Sequence, residues 1–257
     1  MKRICSLLLI ICTCTASFAQ NGSVELPQLV SGYAENGGIS SSVGQVFDAM
    51  APAGASISLL TEGIQQGGLS ACEDITEVTD IDNNTYPAVD LGLYCWTGSN
   101  MKAVRYANGN AIPDVMTYTA GGYSTSDLLS IFGHLYTWEA ATQYNSGQGI
   151  CPNGWHIPTE AEMEYVMAAY DPEDLMATTH WIPNIGTDIS DFTLLPGGYY
   201  NYASGRYEDL LVRAYVWTIK EENTIALACM FGAACSTTEF VPSEKANGYS
   251  VRCILDY

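Results

Sequence analysis

The spacing of apolar positions changes several times along this chain. Ile4 to Cys14 is an apolar run interrupted only by Ser6 and Thr13, preceded by Lys2 and Arg3 and followed by Ser17-Phe18-Ala19. A positive start, a short apolar core and small residues at the two positions that a signal peptidase reads predict an export signal over residues 1–19, cleaved before Gln20. The run is too short to span a bilayer as a helix, and neither Cys12 nor Cys14 follows the small residue expected before a lipidated cysteine. No later stretch is long and apolar enough to cross a membrane, so an exported protein without membrane insertion is expected. Between Leu29 and Gln66, short β-type runs such as Ser40–Phe47 and Ile57–Gln66 alternate with Gly, Ser and Pro. This gives a small β-rich N-terminal module over 20–70, too small to bury a core alone. A linker over 71–78 would join it to a second domain over 79–257.

That domain opens on a turn signal. Asn83-Asn84 tolerates the positive φ of a tight turn, and Tyr86, Ala88 and Asp90 continue with strand alternation. Asp80, Asp82 and Asn84 have the i, i+2, i+4 spacing of a calcium loop, but the glycine that should follow is missing and Leu91 stands where the distal glutamate is needed. A hairpin turn fits better, and calcium has no motif behind it. One helix is expected over Tyr136–Ala141, extending towards Tyr144. A second starts at Thr159, where Glu162 completes a capping box. Met163, Val166, Met167 and Tyr170 then fall on one face, and Pro172 ends the helix. Short strands and loops follow, with strands at Phe192–Leu195, Gly197–Tyr200, Ala214–Ile219, Thr224–Met230 and Tyr249–Ile254. Two short helices among strands and Gly/Asn-rich loops make an α+β domain whose first and last strands can pair.

Charge and cysteine content narrow the context. The formal charge is −19, and loss of the signal removes Lys2 and Arg3 but no carboxylate, taking it to −21 over 238 residues. Such a surface repels phosphates, which argues against nucleic acid and anionic membranes. Cys5, Cys12 and Cys14 leave with the signal. Cys72, Cys95, Cys151, Cys229, Cys235 and Cys253 remain, an even set in an exported chain, with fifteen possible pairings. No C-x-x-C pair occurs and His134, His156 and His180 are far apart, so no metal site is expected.

Several stretches occur in a familiar order: Asp82–Tyr86, Leu91–Trp96, Gly133–Ala141, Cys151-Pro152-Asn153-Gly154-Trp155-His156-Ile157-Pro158-Thr159, Leu195–Tyr199, Val216–Thr218 and Ser250–Cys253. Over residues 78–257 they resemble the Fibrobacter succinogenes major paralogous domain family. The chain departs from the family pattern at Asn83 (usually Gly), at Tyr94–Thr97 (usually Gln-x-Trp-Met) and at Phe132 (usually Tyr). The resemblance implies a C-type lectin-like fold, related to that of formylglycine-generating enzymes, with paired terminal strands. Trp138, Trp155 and Trp217 would be core anchors, and His156 would bond in the core or at a helix start. Cys151 with Cys253 would close a loop of about a hundred residues, worth about 4 kcal/mol in the chain-entropy model. The simplest remaining assignment pairs Cys229 with Cys235, which are close in sequence, and leaves Cys72 with Cys95. The Ser-Val-Gly-Gln-Val and Glu-Gly-Ile-Gln-Gln pieces of the first module resemble a short unit recurring in exported Bacteroidetes-type proteins.

Function is less directly written. Tyr199, Tyr200, Tyr202 and Tyr207, with Trp181, offer aromatic platforms for sugars or partner side chains, with Asn201, Ser204, Arg206, Glu208 and Asp209 among them. These residues are the candidate ligand-binding loop of a secreted or cell-surface recognition domain (a periplasmic location also fits), with a glycan or surface protein as partner. The sugar-binding triplets of calcium lectins are absent: Trp217 is followed by Thr218-Ile219. Two other readings are a structural or tip subunit of a surface assembly, docked through 20–70, and an oxidase like the formylglycine-generating enzymes. The latter lacks a second cysteine just before Cys253, and no Ser/His/Asp order, phosphate loop or His-Glu metal motif supports catalysis. No cofactor is expected.

Overall fold

Antiparallel pairing begins at the expected turn. In this computed structural model, which describes residues 70–118, 124–143, 148–233 and 237–257, strands β1 (Glu77–Thr79) and β2 (Thr85–Leu91) form a hairpin in the register Thr79–Thr85. Asn83 takes φ 66° in the turn. Asp80 holds the turn, accepting from the backbone N–H groups of Asp82 and Asn84 and from the Tyr86 hydroxyl at 2.6 Å. The second acidic residue of the calcium-like spacing, Asp82, instead accepts from Val104 N and Arg105 N and pairs with Arg105. The signal and the module over 20–70 lie outside the described residues, except for Ser70.

The stretch read as a linker is part of the domain. Cys72 is bonded to Cys95, Ala71 donates its N–H to Asp90 at 2.8 Å, and β1 closes the sheet edge. A cysteine with a buried partner and a strand with a free neighbour edge leave no slack for a flexible connector. The main sheet has the order β1-β2-β3-β10-β4, with β3 at Tyr94–Thr97, β4 at Trp155–His156 and β10 at Ile254–Leu255. The C-terminal strand therefore lies between β3 and β4: the two ends of the domain share one sheet, but the last strand pairs with β3 and β4 and not with the first strand. A hairpin, β5 (Tyr199–Asn201) with β6 (Arg206–Glu208), and a three-stranded sheet, β7 (Arg213–Glu222), β8 (Ile225–Gly232) and β9 (Thr237–Glu244), complete the strands.

Among the described residues there are four helices where two were expected. α1 (Thr125–Phe132) and α4 (Pro172–Leu175) are the additions; α2 spans Trp138–Thr142 and α3 Glu160–Ala169. The Thr159–Glu162 capping box forms reciprocally. Pro172 does not terminate α3, which stops at Ala169; it opens α4, where its missing N–H costs no helical bond. Phe192–Leu195 does not form a strand and contributes a single bridge, Leu194 to Met176. The segment instead supplies main-chain carbonyls to Arg252 and Trp181.

The long β7–β8 hairpin is apolar on both faces because each face meets a different core. Tyr215, Trp217, Ala226, Ala228 and Met230 face one cluster with Tyr136, Trp138 and Trp155. Val216, Cys229 and Phe231 alternate into a second with Trp96, Val166 and Phe192. That alternation corrects one disulfide. Cys229 is a free, buried thiol whose Sγ lies 3.4 Å from Met167 Sδ, opposite Val216 and Phe240 in the ladders, and it faces the second core instead of the hairpin end. Cys235 lies outside the described residues. Cys72–Cys95 and Cys151–Cys253 are formed, the latter across 102 residues.

Arg252 joins these layers. Fully buried, it donates from Nε to Asn100 Oδ1 (2.7 Å), from Nη1 to the carbonyls of Thr97 and Phe192 (2.9 Å each), and from Nη2 to Thr193 O (3.1 Å). Its guanidinium stacks 4.5 Å from the Phe192 ring centroid. Replacement by Met would remove the charge and leave Asn100 and three carbonyls without their donor. We expect Arg252→Met to lower stability by about 3–5 kcal/mol, measured by urea denaturation of the oxidised protein.

His156 holds the C-terminal end. Nδ1 lies 2.6 Å from Asp256 Oδ1 and Nε2 lies 3.0 Å from Glu162 Oε1, placing the imidazole at the start of α3. The hydrogen bond to Glu162 raises the His156 pKa, opposed by burial and supported by Asp256. At Glu162 burial opposes ionisation, but the bonds from His156 and Thr159 outweigh it and lower its pKa. A raised histidine pKa stabilises the fold fully below its unfolded value near 6.5 and is lost as pH rises through the folded value. A lowered glutamate pKa stabilises above its unfolded value near 4.5 and is lost as pH falls through the folded value. The Tm difference between the protein and His156→Gln is expected to be greatest between those two values and to shrink as pH rises beyond the folded His156 pKa.

Candidate functional site

The tyrosines of the expected loop sit on a tight hairpin. In β5–β6, Tyr200 pairs with Tyr207 and Asn201 with Arg206, and Gly205 closes the turn at φ 66°. Neighbouring ring faces fix the pair: Tyr200 and Tyr207 centroids are 5.2 Å apart, and Tyr207 lies 5.4 Å from buried Tyr118. The Tyr207 hydroxyl donates to Thr117 O at 2.6 Å, tying β6 to the segment before α1. Tyr200 bridges Gly248 through both main-chain bonds, tying β5 to the chain before β10.

These ties frame an open cleft of about 700 Å³. Tyr200, Tyr202 and Tyr207 line one side. Asp114, Val115, Met116 and Thr117 form another, and Thr137, Glu139 and Ala246 close it. Tyr202 is 63 % exposed, an aromatic side chain with little packing of its own. Its backbone N–H is held by Asn247 Oδ1 at 3.0 Å. Thr137 is the cap of α2 and Glu139 lies in that helix's first turn. The volume falls within the range of small-ligand sites, and the lining combines aromatic faces with carboxylates and backbone groups.

The structure brings together only part of the expected set. Tyr200, Tyr202 and Tyr207 share the cleft, whereas exposed Arg206 does not line it. Tyr199 turns the other way, packing 5.0 Å from Tyr215 and 5.5 Å from Tyr249 and donating its hydroxyl to Glu208. Asn201 and Ser204 also bond Glu208, so these polar residues brace the hairpin. Asp209 is committed to Arg213 and the Tyr215 hydroxyl. Trp181, expected as a platform, is a core residue with 2 % exposure whose Nε1 donates to Leu194 O.

Asp114, Met116, Thr137 and Glu139 escaped the sequence reading because the cleft is assembled from separate segments scattered between Asp114 and Ala246. The helix start at Thr137 was legible; its partnership with a distant hairpin was not.

Gly248 lies under the cleft. A Cβ there would come 2.2 Å from Met116 Sδ, 3.1 Å from Tyr200 Cβ and 3.4 Å from Leu135 Cβ. Gly248→Ala is expected to displace Met116 and β5, at a cost of about 1–3 kcal/mol. A chemical-shift map should place the largest perturbations at Met116 and Tyr200.

Neither a curated protein nor a solved structure matches the chain significantly. The family model of the Fibrobacter succinogenes major domain matches residues 89–255, from β2 through β10 and across the whole cleft. The chain belongs to the Fibrobacter succinogenes major domain family.

Proposed function

We propose that this is an exported recognition domain, secreted or held at the cell surface, with a C-type lectin-like fold, that binds a glycan without catalysis in the Tyr200–Tyr202–Tyr207 cleft. The observation that carries the reading is the convergence of these three tyrosines on one open cleft fixed by main-chain bonds. Flat aromatic faces beside carboxylates and backbone acceptors suit the mixed apolar and hydroxylated surface of a sugar ring. A C-terminal strand lying in the same sheet as the first strands, the long loop region and a disulfide across 102 residues support the lectin-like architecture.

The thiols speak for a binding role over an oxidase. Cys253 is consumed by Cys151, and burial pushes the Cys229 thiol well above its ordinary pKa, so neither offers a thiolate. Calcium plays no part in this reading, because Asp80 and Asp82 spend their carboxylates on the β1–β2 turn and Arg105.

The test is binding to a broad glycan panel with calcium and again with a chelator. Binding in both conditions is expected, and Tyr202→Ala should weaken it about 3- to 10-fold without changing Tm. Loss with chelator would contradict the calcium-free site. Absence of binding in both conditions would overturn the glycan reading in favour of a protein partner within a surface assembly.

A further inference from the structure

Charge in the cleft points beyond sugars in general. Asp114 and Glu139 are its charged lining residues, and both are acidic. Neither carboxylate makes an ion pair or side-chain hydrogen bond with any described residue. That sets them apart from Asp80, Asp82, Glu162, Glu208 and Asp209, whose oxygens are taken up by neighbouring donors. The nearby cation is engaged elsewhere: Lys245 pairs with Glu221, and its Nζ lies 4.5 Å from the Trp138 ring centroid. Arg206, on the outer strand of the hairpin, stays outside the cleft. Among the described residues, three tyrosine rings and two uncommitted carboxylates therefore share a space that no positive side chain lines.

An acidic sugar entering this space would meet like charge, since the cation beside it, Lys245, is held by Glu221. A protonated amine would meet carboxylates for charge-assisted hydrogen bonds and ring faces for cation–π contact. Resting on the glycan reading above, we propose that the cleft selects glycans carrying free, protonated amino groups, as in oligomers of glucosamine, over N-acetylated and uronic acid chains.

Isothermal titration of the mature protein with a glucosamine oligomer, its fully N-acetylated counterpart and a galacturonic acid oligomer separates the possibilities. The amine oligomer is expected to bind roughly tenfold more tightly than the acetylated one, with the preference shrinking at high salt. The double variant Asp114→Asn/Glu139→Gln should lose that preference while retaining the fold, since neither carboxylate has a side-chain partner among the described residues. Equal or tighter binding of the acetylated or uronic acid oligomer would overturn amine selection and leave the glycan reading standing. Unchanged preference in the double variant would overturn the assignment of these two carboxylates. No binding of any oligomer here or on the broad panel would overturn both readings.

Discussion

A guanidinium buried with no carboxylate in hydrogen-bonding contact is costly, and this domain is arranged so that Arg252 spends its donors on backbone oxygens and one amide. Thr97 belongs to the end of β3, Asn100 to the loop after it, and Phe192 and Thr193 to the irregular segment before β5. Burial pulls the Arg252 pKa down, and the charge of Asp188 works against that. Asp188 is itself held by the Thr193 N–H and hydroxyl. Asn100 passes the constraint on through its Nδ2, which donates to Phe132 O at the end of α1 and to Ser250 Oγ. One side chain near the C-terminus thus satisfies the polar backbone of a loop that would otherwise be unpaired inside the core.

The next residue carries the second constraint. Cys253 is bonded to Cys151, at the head of the Pro152–Thr159 stretch that leads through β4 into α3. Successive residues therefore fix opposite sides of the last strand segment, Arg252 to the 190s loop and Cys253 to β4. Just before them, Ser250 and Tyr249 bond to Tyr215, Trp217 and Tyr136, holding the long hairpin against the chain that precedes α2. Gly248 then meets Tyr200 at the floor of the cleft. The cleft stands at the end of this chain of contacts, with its tyrosines on a short hairpin and its carboxylates on segments anchored by Leu135 and Thr137. Rigid support beneath exposed aromatic faces keeps the ordering cost of binding low.

Legibility in the sequence followed the range of the interactions. The β1–β2 turn, the capping box at Thr159 and the β7–β8 strands were readable because Asn83, Glu162 and the short apolar runs act on near neighbours. Helix α1 was missed: Ser124 caps it through Asp127 N, but it runs for only eight residues and fully buries just Leu128 and Phe132. β9 was missed because its buried positions are interrupted and Pro242 lies inside it. The Cys229 thiol shows why closeness in sequence is a poor guide to pairing: strand alternation aims it at Met167. For the site, the aromatic hairpin could be found as a cluster, yet Tyr199 and Trp181 could be told from Tyr200 and Tyr202 only by which side of the chain met a core. The two carboxylates were invisible among 28 acidic residues, since what distinguishes them is their place in a cleft assembled from distant segments.

The account rests on the cleft being where ligand contact occurs on a frame that does not rearrange. Hydrogen exchange of the oxidised protein, with and without a saturating glycan ligand, tests that most directly. Added protection confined to the amides of Tyr200–Tyr202, Asp114–Thr117 and Ala246–Gly248, with exchange around Arg252 and Cys253 unchanged, is the predicted result. Protection centred on another face, or spread across the β7–β8–β9 sheet with the cleft unaffected, would contradict it.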